Sequence, residues 1–348
     1  MPRSIIAGIG KYVPNNVFTN DDMKQFMDTS DEWIQERTGV KERRFADRTG
    51  ETTTTMGIEA AKIAMDRAGV TPQDIDFIIF ATLSPDYYFP DCGVLVQRAM
   101  KMKENGALDV RNQCSGFVYA LSVGDQFIRS GMYKNILIIG SEKHSFIMDF
   151  TTRGRNISVI FGDGAGAVVL QPTEDDHRGV LSTHLHSDGN DAEILAAYNP
   201  GTHANYWKKD LADYDNAEIG ELYQSHAMIE KGQNYPVMHG PDVFKKAITK
   251  FPEVIIEALE KNGYSASDLR LLVPHQANLR ISQYVQQKLK LRNDQVFNNI
   301  QKYGNTTAAS VPIALCEAWE EGRLKEGDLV CLAAFGSGFT WASALLKW

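Results

Sequence analysis

The chain predicts an α/β fold built from two duplicated halves, and three observations predict it. Residues 67–80 (RAGVTPQDIDFIIF) and 261–274 (KNGYSASDLRLLVP) share a turn followed by a strand at an offset of 194 residues, and the same offset carries Ala120-Leu121 onto Ala314-Leu315. Apolar runs such as Phe77-Ile78-Ile79-Phe80 read as strands buried on both faces, in sheets that lie between helical layers. A length of 348 residues exceeds the usual single domain and leaves ample material for a core.

The elements follow in chain order. Residues 5–9 predict an early strand, and a helical stretch then leads through the 67–76 turn into the strand that begins at Phe77. Cys114 opens a buried helix, because Phe117, Val118, Ala120, Leu121 and Val123 follow it with no charge until Asp125. Ile136-Leu137-Ile138-Ile139-Gly140 is a strand ending in glycine, and residues 158–161 and 165–170 are two more, divided by the turn Gly162-Asp163-Gly164. The first half therefore spans 1–172 and the second 173–348. In the second half Leu271-Leu272-Val273 is a strand, a helix follows Asn305, and the run from Leu329 is a strand ending at Gly336. A polar, aromatic-containing insertion around 190–235 fits neither repeat; a segment this long is functional or mobile, or is solvent-facing decoration.

Composition bounds the function. With 43% hydrophobic and 23% charged residues and no low-complexity tract, most of the chain folds. A net charge of −8 argues against nucleic-acid binding by bulk electrostatics, while leaving room for a local basic patch. The N-terminal stretch is too short in apolar residues for a signal peptide, and nothing approaches the ~18 apolar residues of a membrane span, so a cytoplasmic protein is expected. Cys92, Cys114, Cys316 and Cys331 have neither CxxC spacing nor scaffold density, which indicates free thiols and no metal site. Three of them read as small buried hydrophobes. Cys114 differs, since the positive end of a helix dipole favours the thiolate, the nucleophilic form.

Five segments stand in an order that carries a family resemblance: Cys114-Ser115-Gly116-Phe117, the run from Phe161 to Ala167, the run from His275 to Ile281, the run from Tyr303 to Ser310, and Phe335-Gly336-Ser337-Gly338-Phe339-Thr340-Trp341. In this order they resemble the β-ketoacyl-[acyl carrier protein] synthase III family over the whole chain except the region around 190–235. The resemblance implies a thiolase-like fold with α-β-α-β-α layers. It implies a homodimeric, cytoplasmic acyltransferase that condenses an acyl-CoA primer with malonyl-[acyl carrier protein] at the start of fatty acid synthesis. No cofactor or metal is implied, the CoA thioesters being substrates.

The same resemblance assigns roles. Cys114 is the nucleophile that takes the acyl group, and His275 and Asn305 bind the malonyl thioester carbonyl that becomes an enolate oxygen when CO₂ leaves. Backbone amides of Cys114 and Ser337 form a second oxyanion hole, Ser337 standing where the family commonly has the middle of three glycines. Cysteine, histidine and asparagine together resemble the acyl-CoA-primed class, whereas chain-elongating relatives carry a second histidine. Trp33, Arg37 and Arg155 resemble a clamp for the CoA adenine, with Asn278 on the pantetheine arm. Phe89 (inserted from the partner subunit), Phe161 and Met238 are implied in the acyl pocket, and Lys245, Arg280 and Lys288 in docking an acidic carrier protein. Blander readings exist for several of these: Asn305 as a turn asparagine, Trp33 as a helix-face core residue, the lysines as solvated charges.

One departure bears on the primer. The family's Met-x-Gly-Asn-x-Val-Phe pattern reads Met238-His239-Gly240-Pro241-Asp242-Val243-Phe244 here, so Pro241 removes a side-chain amide and a backbone donor. With the long insertion, it predicts a primer longer than acetyl. The alternative function is a specialised condensing enzyme of secondary metabolism or lipid synthesis, using a medium or long acyl-CoA or a different acceptor. A Cys-His-Asn hydrolase would need neither a CoA clamp nor a duplicated core.

Overall fold

Continuous burial along the central strands builds two sheets covered on both faces. The structure is a computed structural model that describes residues 2–202 and 223–348. Among these residues one sheet contains β1 (Arg3–Tyr12), β2 (Phe77–Ala81), β3 (Gly106–Val110), β4 (Ile136–Glu142) and β5 (Gly164–Thr173), in the order β1-β5-β4-β2-β3. The other contains β6 (Gly179–Ser187), β7 (Leu271–Pro274), β8 (Leu329–Gly336) and β9 (Thr340–Lys347), in the order β7-β8-β9-β6.

The second sheet repeats the first strand for strand. In each, an outer strand (β1 or β6) runs antiparallel to its neighbour (β5 or β9). That neighbour runs antiparallel to the next (β4 or β8), which pairs in parallel with β2 or β7. Strand β3 extends the first sheet alone and is its edge.

Helices α1 (Asp31–Thr38), α2 (Thr53–Ala68), α3 (Cys92–Ala99) and α4 (Gly116–Arg129) belong to the first part of the chain. Helices α5 (Gly240–Lys261), α6 (Leu279–Lys288) and α7 (Ser310–Glu320) belong to the second. Because successive strand side chains point to opposite faces, Ile78 and Phe80 meet Ala61, Ala64 and Met65 of α2 and Val96 of α3, while Ile79 faces α4. Helices α4 and α7 lie between the sheets, Phe117, Leu121, Val311 and Leu315 packing against Val168 and Ile138 on one side and Leu332 and Val273 on the other. On the far face of the second sheet, Leu272, Cys331 and Leu345 pack against Phe251 and Ile255 of α5 and Val285 of α6. The layers are α-β-α-β-α, and each fully buried Leu, Ile or Phe stabilises them by about 1.5–3 kcal/mol.

The offset of 194 residues holds in detail. Thr71 and Asp74 close a capping box ahead of β2, the Thr71 amide and hydroxyl donating to Asp74 at 2.8 and 2.6 Å; Ser265 and Asp268 repeat it ahead of β7 at 2.7 and 2.6 Å. Gln113 and Thr307, also 194 apart, both adopt left-handed backbone, with φ of 44° and 47°.

Two expected elements differ. The helix expected from Cys114 starts at Gly116, because the left-handed Gln113 winds residues Gln113–Ser115 into a 3₁₀ turn first. Residues 158–161 are no strand: Arg155–Ser158 is a helical turn and Phe161 makes one isolated parallel bridge, to Asn305. Most of the proposed insertion, residues 203–222, lies outside the described residues. Its flanks form a short ribbon in which Leu195–Ala196 pairs with Val237–Met238.

Candidate active site

The two left-handed turns lead into α4 and α7 and pack against one another, and they bring Cys114 and Asn305 to one place. Cys114 sits on the first turn. Asn305 lies just before the second, clasped by the first half of the chain: its amide donates to the Ile160 carbonyl at 2.9 Å and its carbonyl accepts from the Gly162 amide at 3.1 Å. His275 follows the last residue of β7, where its amide donates to Ala333 of β8 at 2.8 Å. All three line one pocket of about 130 Å³, together with Phe161, Leu195, Met238, Phe244, Asn278 and Gly336.

The thiol is held in close quarters. Gly336 permits this, since a Cβ there would lie 2.6 Å from Cys114 Cβ and 3.2 Å from its Sγ. Backbone amides of Ser337 and of Cys114 itself point at the sulfur and favour its charged form. Burial works against them more strongly, and the Glu142 charge adds to it, so the thiol is pushed up to about 12. The expectation of a resting thiolate is thereby corrected: desolvation by burial raises the thiol, and the helix itself begins two residues further on. Ser337, in place of a glycine, has a use for its hydroxyl, which donates to the Leu195 carbonyl of the short ribbon.

His275 and Asn305 each have one end tied and one end free. Ser310 Oγ lies 2.6 Å from His275 Nδ1 and accepts from the Gln276 amide at 3.4 Å. With no other acceptor for its proton among the described residues, the Ser310 hydroxyl is assigned as donor to Nδ1, which assigns the ring proton to Nε2. Nε2 is buried and has no partner among the described residues. Burial holds the ring neutral, pulling it down to about 3. Asn305 Oδ1 accepts from the Thr307 amide at 2.8 Å, which assigns Nδ2 to the other end. Leaving a buried donor such as His275 Nε2 unpaired costs about 1–3 kcal/mol; together with Asn305 Nδ2, which makes no hydrogen bond among the described residues, it lines one pocket with a thiol, as a site for a developing oxyanion requires.

The remaining sequence candidates fall into three places. Trp33 has two guanidinium groups on its ring, Arg37 and Arg155, each 4.6 Å from the centroid, and Arg155 is held by the Asp28 carbonyl at 2.7 Å. Asn278 joins this cluster to the pocket: its Nδ2 donates to the Arg37 carbonyl at 2.9 Å and its Oδ1 caps α6 by accepting from the Arg280 amide at 2.9 Å. Lys245, Arg280 and Lys288 are exposed on α5 and α6, with Arg280 stacked 5.6 Å from the ring of Phe244 at the pocket wall. Phe89 stands 79% exposed, away from its own chain's pocket. Pro241 is also exposed and does not line the pocket, so the expectation that it reshapes the acyl site is not carried by its position. It occupies the first turn of α5, where a missing N–H costs nothing.

Sequence reasoning passed over the partners that orient these groups. Ser310 and Thr307 lay within a recognised segment but were given no role. Glu142 and His144 follow directly on the apolar run of β4, and a charge there was the available signal. Glu142 is fully buried, accepts from the Ser84 hydroxyl at 2.5 Å and from the Leu83 and Ser84 amides at 3.2 Å, and is pushed by burial up to about 7.

Known proteins resemble this chain along nearly its whole length. A family profile described as "3-Oxoacyl-[acyl-carrier-protein (ACP)] synthase III" matches residues 108–189, and its C-terminal counterpart matches residues 259–348. The β-ketoacyl-[acyl-carrier-protein] synthase III of Caldanaerobacter subterraneus subsp. tengcongensis is 41% identical over 343 residues, covering 99% of this chain and 97% of that one. The protein of the same name from Xanthomonas campestris pv. campestris is 45% identical over 346 residues, covering 99% and 98%. The crystal structure of 3-oxoacyl-[acyl-carrier-protein] synthase III from Aquifex aeolicus superposes with a TM-score of 0.86 at 43% identity, over 99% of this chain and 100% of that one.

Proposed function

The chain belongs to the β-ketoacyl-[acyl carrier protein] synthase III family, and from that membership we infer that Cys114, His275 and Asn305 perform the family's condensation. The enzyme is an acyltransferase that joins an acyl-CoA to malonyl-[acyl carrier protein] and so initiates fatty acid synthesis. The observation that carries the residue assignment is the pair of free donors, His275 Nε2 and Asn305 Nδ2, beside a thiol whose sulfur faces two backbone amides.

The reaction divides between two donor sets. Cys114 Sγ attacks the acyl-CoA carbonyl, the amides of Cys114 and Ser337 hold the tetrahedral oxyanion, and CoA leaves as its thiol with the proton that Cys114 gave up. Malonyl thioester then takes the place of CoA with its carbonyl on His275 and Asn305. Loss of CO₂ leaves an enolate whose oxygen these donors stabilise; its carbon attacks the Cys114 thioester, giving the β-ketoacyl product and expelling the Cys114 thiolate, which takes a proton from solvent to restore the thiol. Decarboxylation supplies the carbanion without a strong base, and the chemistry draws on no cofactor.

Residues 1–172 supply the nucleophile and residues 173–348 the histidine and asparagine. The CoA adenine is held at Trp33 by Arg37 and Arg155, Asn278 bridges this clamp to the pantetheine arm, and Phe161 and Met238 line the acyl site. Lys245, Arg280 and Lys288 receive the acidic carrier protein at the mouth, where Arg280 already stacks on Phe244. The enzyme acts as a homodimer in the cytoplasm: the exposed edge of β3 continues through Arg111, stacked 6.0 Å from Tyr88, into the exposed Tyr87, Tyr88 and Phe89, and the partner's Phe89 closes the acyl channel.

Mixing the enzyme with acyl-CoA and reading the mass of Cys114 tests the first step, and single turnover with malonyl-[acyl carrier protein] tests the second. Cys114→Ala forms no adduct. His275→Ala and Asn305→Ala accept the acyl group but condense about 10²-fold or more slowly. Equal loss of both steps in the latter two variants overturns the division of labour.

A further inference from the structure

His144 lies two residues beyond the end of β4, buried to 1% exposure, and plays no part in the steps above. Among the described residues its ring makes one hydrogen bond, between Nε2 and the Thr307 hydroxyl at 2.6 Å, while Nδ1 is buried without a partner there. One face packs on Phe161, with centroids 4.8 Å apart.

Thr307 is an unusual residue to find where it stands. A β-branched side chain at φ 47° is strained, and a glycine or asparagine would take that conformation at less cost. The strain persists only where the surroundings over-determine it, and among the described residues the Thr307 hydroxyl has one hydrogen-bond partner, His144. In that conformation the Thr307 amide donates to Asn305 Oδ1 at 2.8 Å. The amide of the next residue, Ala308, faces the same strand end and favours the charged form of Glu142. Two side chains two residues apart thus hold the turn that aims Asn305.

We propose that His144 is a positioning residue for the condensation step, acting through the Thr307 hydroxyl to hold the Thr307 amide on Asn305 Oδ1 and thereby to direct Asn305 Nδ2 at the malonyl thioester carbonyl. The inference rests on the reading of Asn305 as a donor to that carbonyl. It explains why an imidazole is buried with one nitrogen unsatisfied: only Nε2 is needed, and a phenyl ring would fill the space but leave Thr307 unheld.

The test compares His144→Phe, Thr307→Val, their combination, His144→Gln and Asn305→Ala in the full-length enzyme. For each, Cys114 acylation is read by mass after mixing with acyl-CoA, and condensation by single turnover of the preformed acyl-enzyme with malonyl-[acyl carrier protein]. His144→Phe and Thr307→Val acylate at the parent rate, which also certifies the fold, and condense roughly tenfold or more slowly, short of the ~10²–10³ of losing an oxyanion donor outright. The double variant is no slower than the worse single one, because both break the same connection. His144→Gln, whose side-chain carbonyl can accept from Thr307, recovers most of the rate. Parallel loss of acylation, multiplying losses in the double variant, or full condensation in His144→Phe while Asn305→Ala is impaired, each overturns the proposal alone. Full condensation in Asn305→Ala overturns the functional reading of that residue and takes this inference with it.

Discussion

The Ser310 hydroxyl, 2.6 Å from His275 Nδ1, decides which nitrogen of that ring carries the proton. It binds the end of the imidazole opposite the free Nε2, so a residue outside the pocket lining sets the pocket's donor pattern.

Removing that hydroxyl releases the tautomer. Ser310→Ala is expected to slow condensation about tenfold, the equivalent of ~1.4 kcal/mol and within the ~1–3 kcal/mol of orphaning a buried polar group. Acylation of Cys114 stays at the parent rate. A single-turnover comparison of the two steps checks this, and an equal fall in both counts against the assignment.

The two steps should also differ in pH dependence. With the Cys114 thiol pushed up to about 12, the thiolate fraction and the acylation rate rise about tenfold per unit across neutral to mildly alkaline pH. His275, held down to about 3, stays neutral over that range, so condensation from preformed acyl-enzyme is flat. Stopped-flow profiles of each step decide it; an inflection near the ordinary histidine value in the condensation profile would show that His275 titrates after all.

Glu142 links stability to pH. Its folded value of about 7 lies above the ordinary 4.5, so the folded state binds the proton more tightly. The contribution is fully present below about 4.5 and is lost as pH rises through 7, on the order of 3 kcal/mol in all. Glu142→Gln lacks this term, so the stability of the parent relative to the variant should decline from pH 5 to pH 8 in urea titrations. A difference that grows with pH would reverse the sign of the argument.

Gly336→Ala places a methyl 2.6 Å from Cys114 Cβ and 3.1 Å from its backbone nitrogen, and one of the two segments must move. Displacing the nucleophile on the scale of an ångström costs about 10²-fold, so acylation should fall at least that far, with a lowered Tm. Unchanged acylation would mean that the turn relaxes at no catalytic cost.

At the clamp, Trp33→Ala removes the ring on which Arg37 and Arg155 stack. KM for acyl-CoA should rise by roughly tenfold with kcat little changed, as expected when uniform binding is lost. Steady-state kinetics with a CoA thioester beside the same acyl group on a short pantetheine fragment separates the adenine contribution; equal effects on both substrates would remove Trp33 from adenine binding.

Much of this was legible in the sequence, and the remainder failed for identifiable reasons. Continuous apolar runs and the 194-residue offset predict the duplicated sheets because strand burial and local capping are near-neighbour properties, and the capping boxes at Thr71 and Ser265 repeat them in detail. What orients the site is non-local. Ser310 is 35 residues from His275 and Thr307 is 163 from His144, separations that no periodicity records. The thiolate expectation failed because dipole direction can be read from a helix pattern whereas depth of burial cannot. Residues 158–161 looked like a strand by composition, but Phe161 pairs with a single residue of the other half.

The two left-handed turns also bear on the stoichiometry of the acyl-enzyme. A pair of separate, identical halves related by a twofold axis would present the same side chain on both turns, and so two nucleophiles or none. Joined in one chain, the copies have diverged: the position that matches Cys114 at the 194-residue offset is Ala308, a buried methyl. The symmetry of the backbone therefore coexists with a single covalent attachment point, and titration with acyl-CoA should saturate at one acyl group per polypeptide.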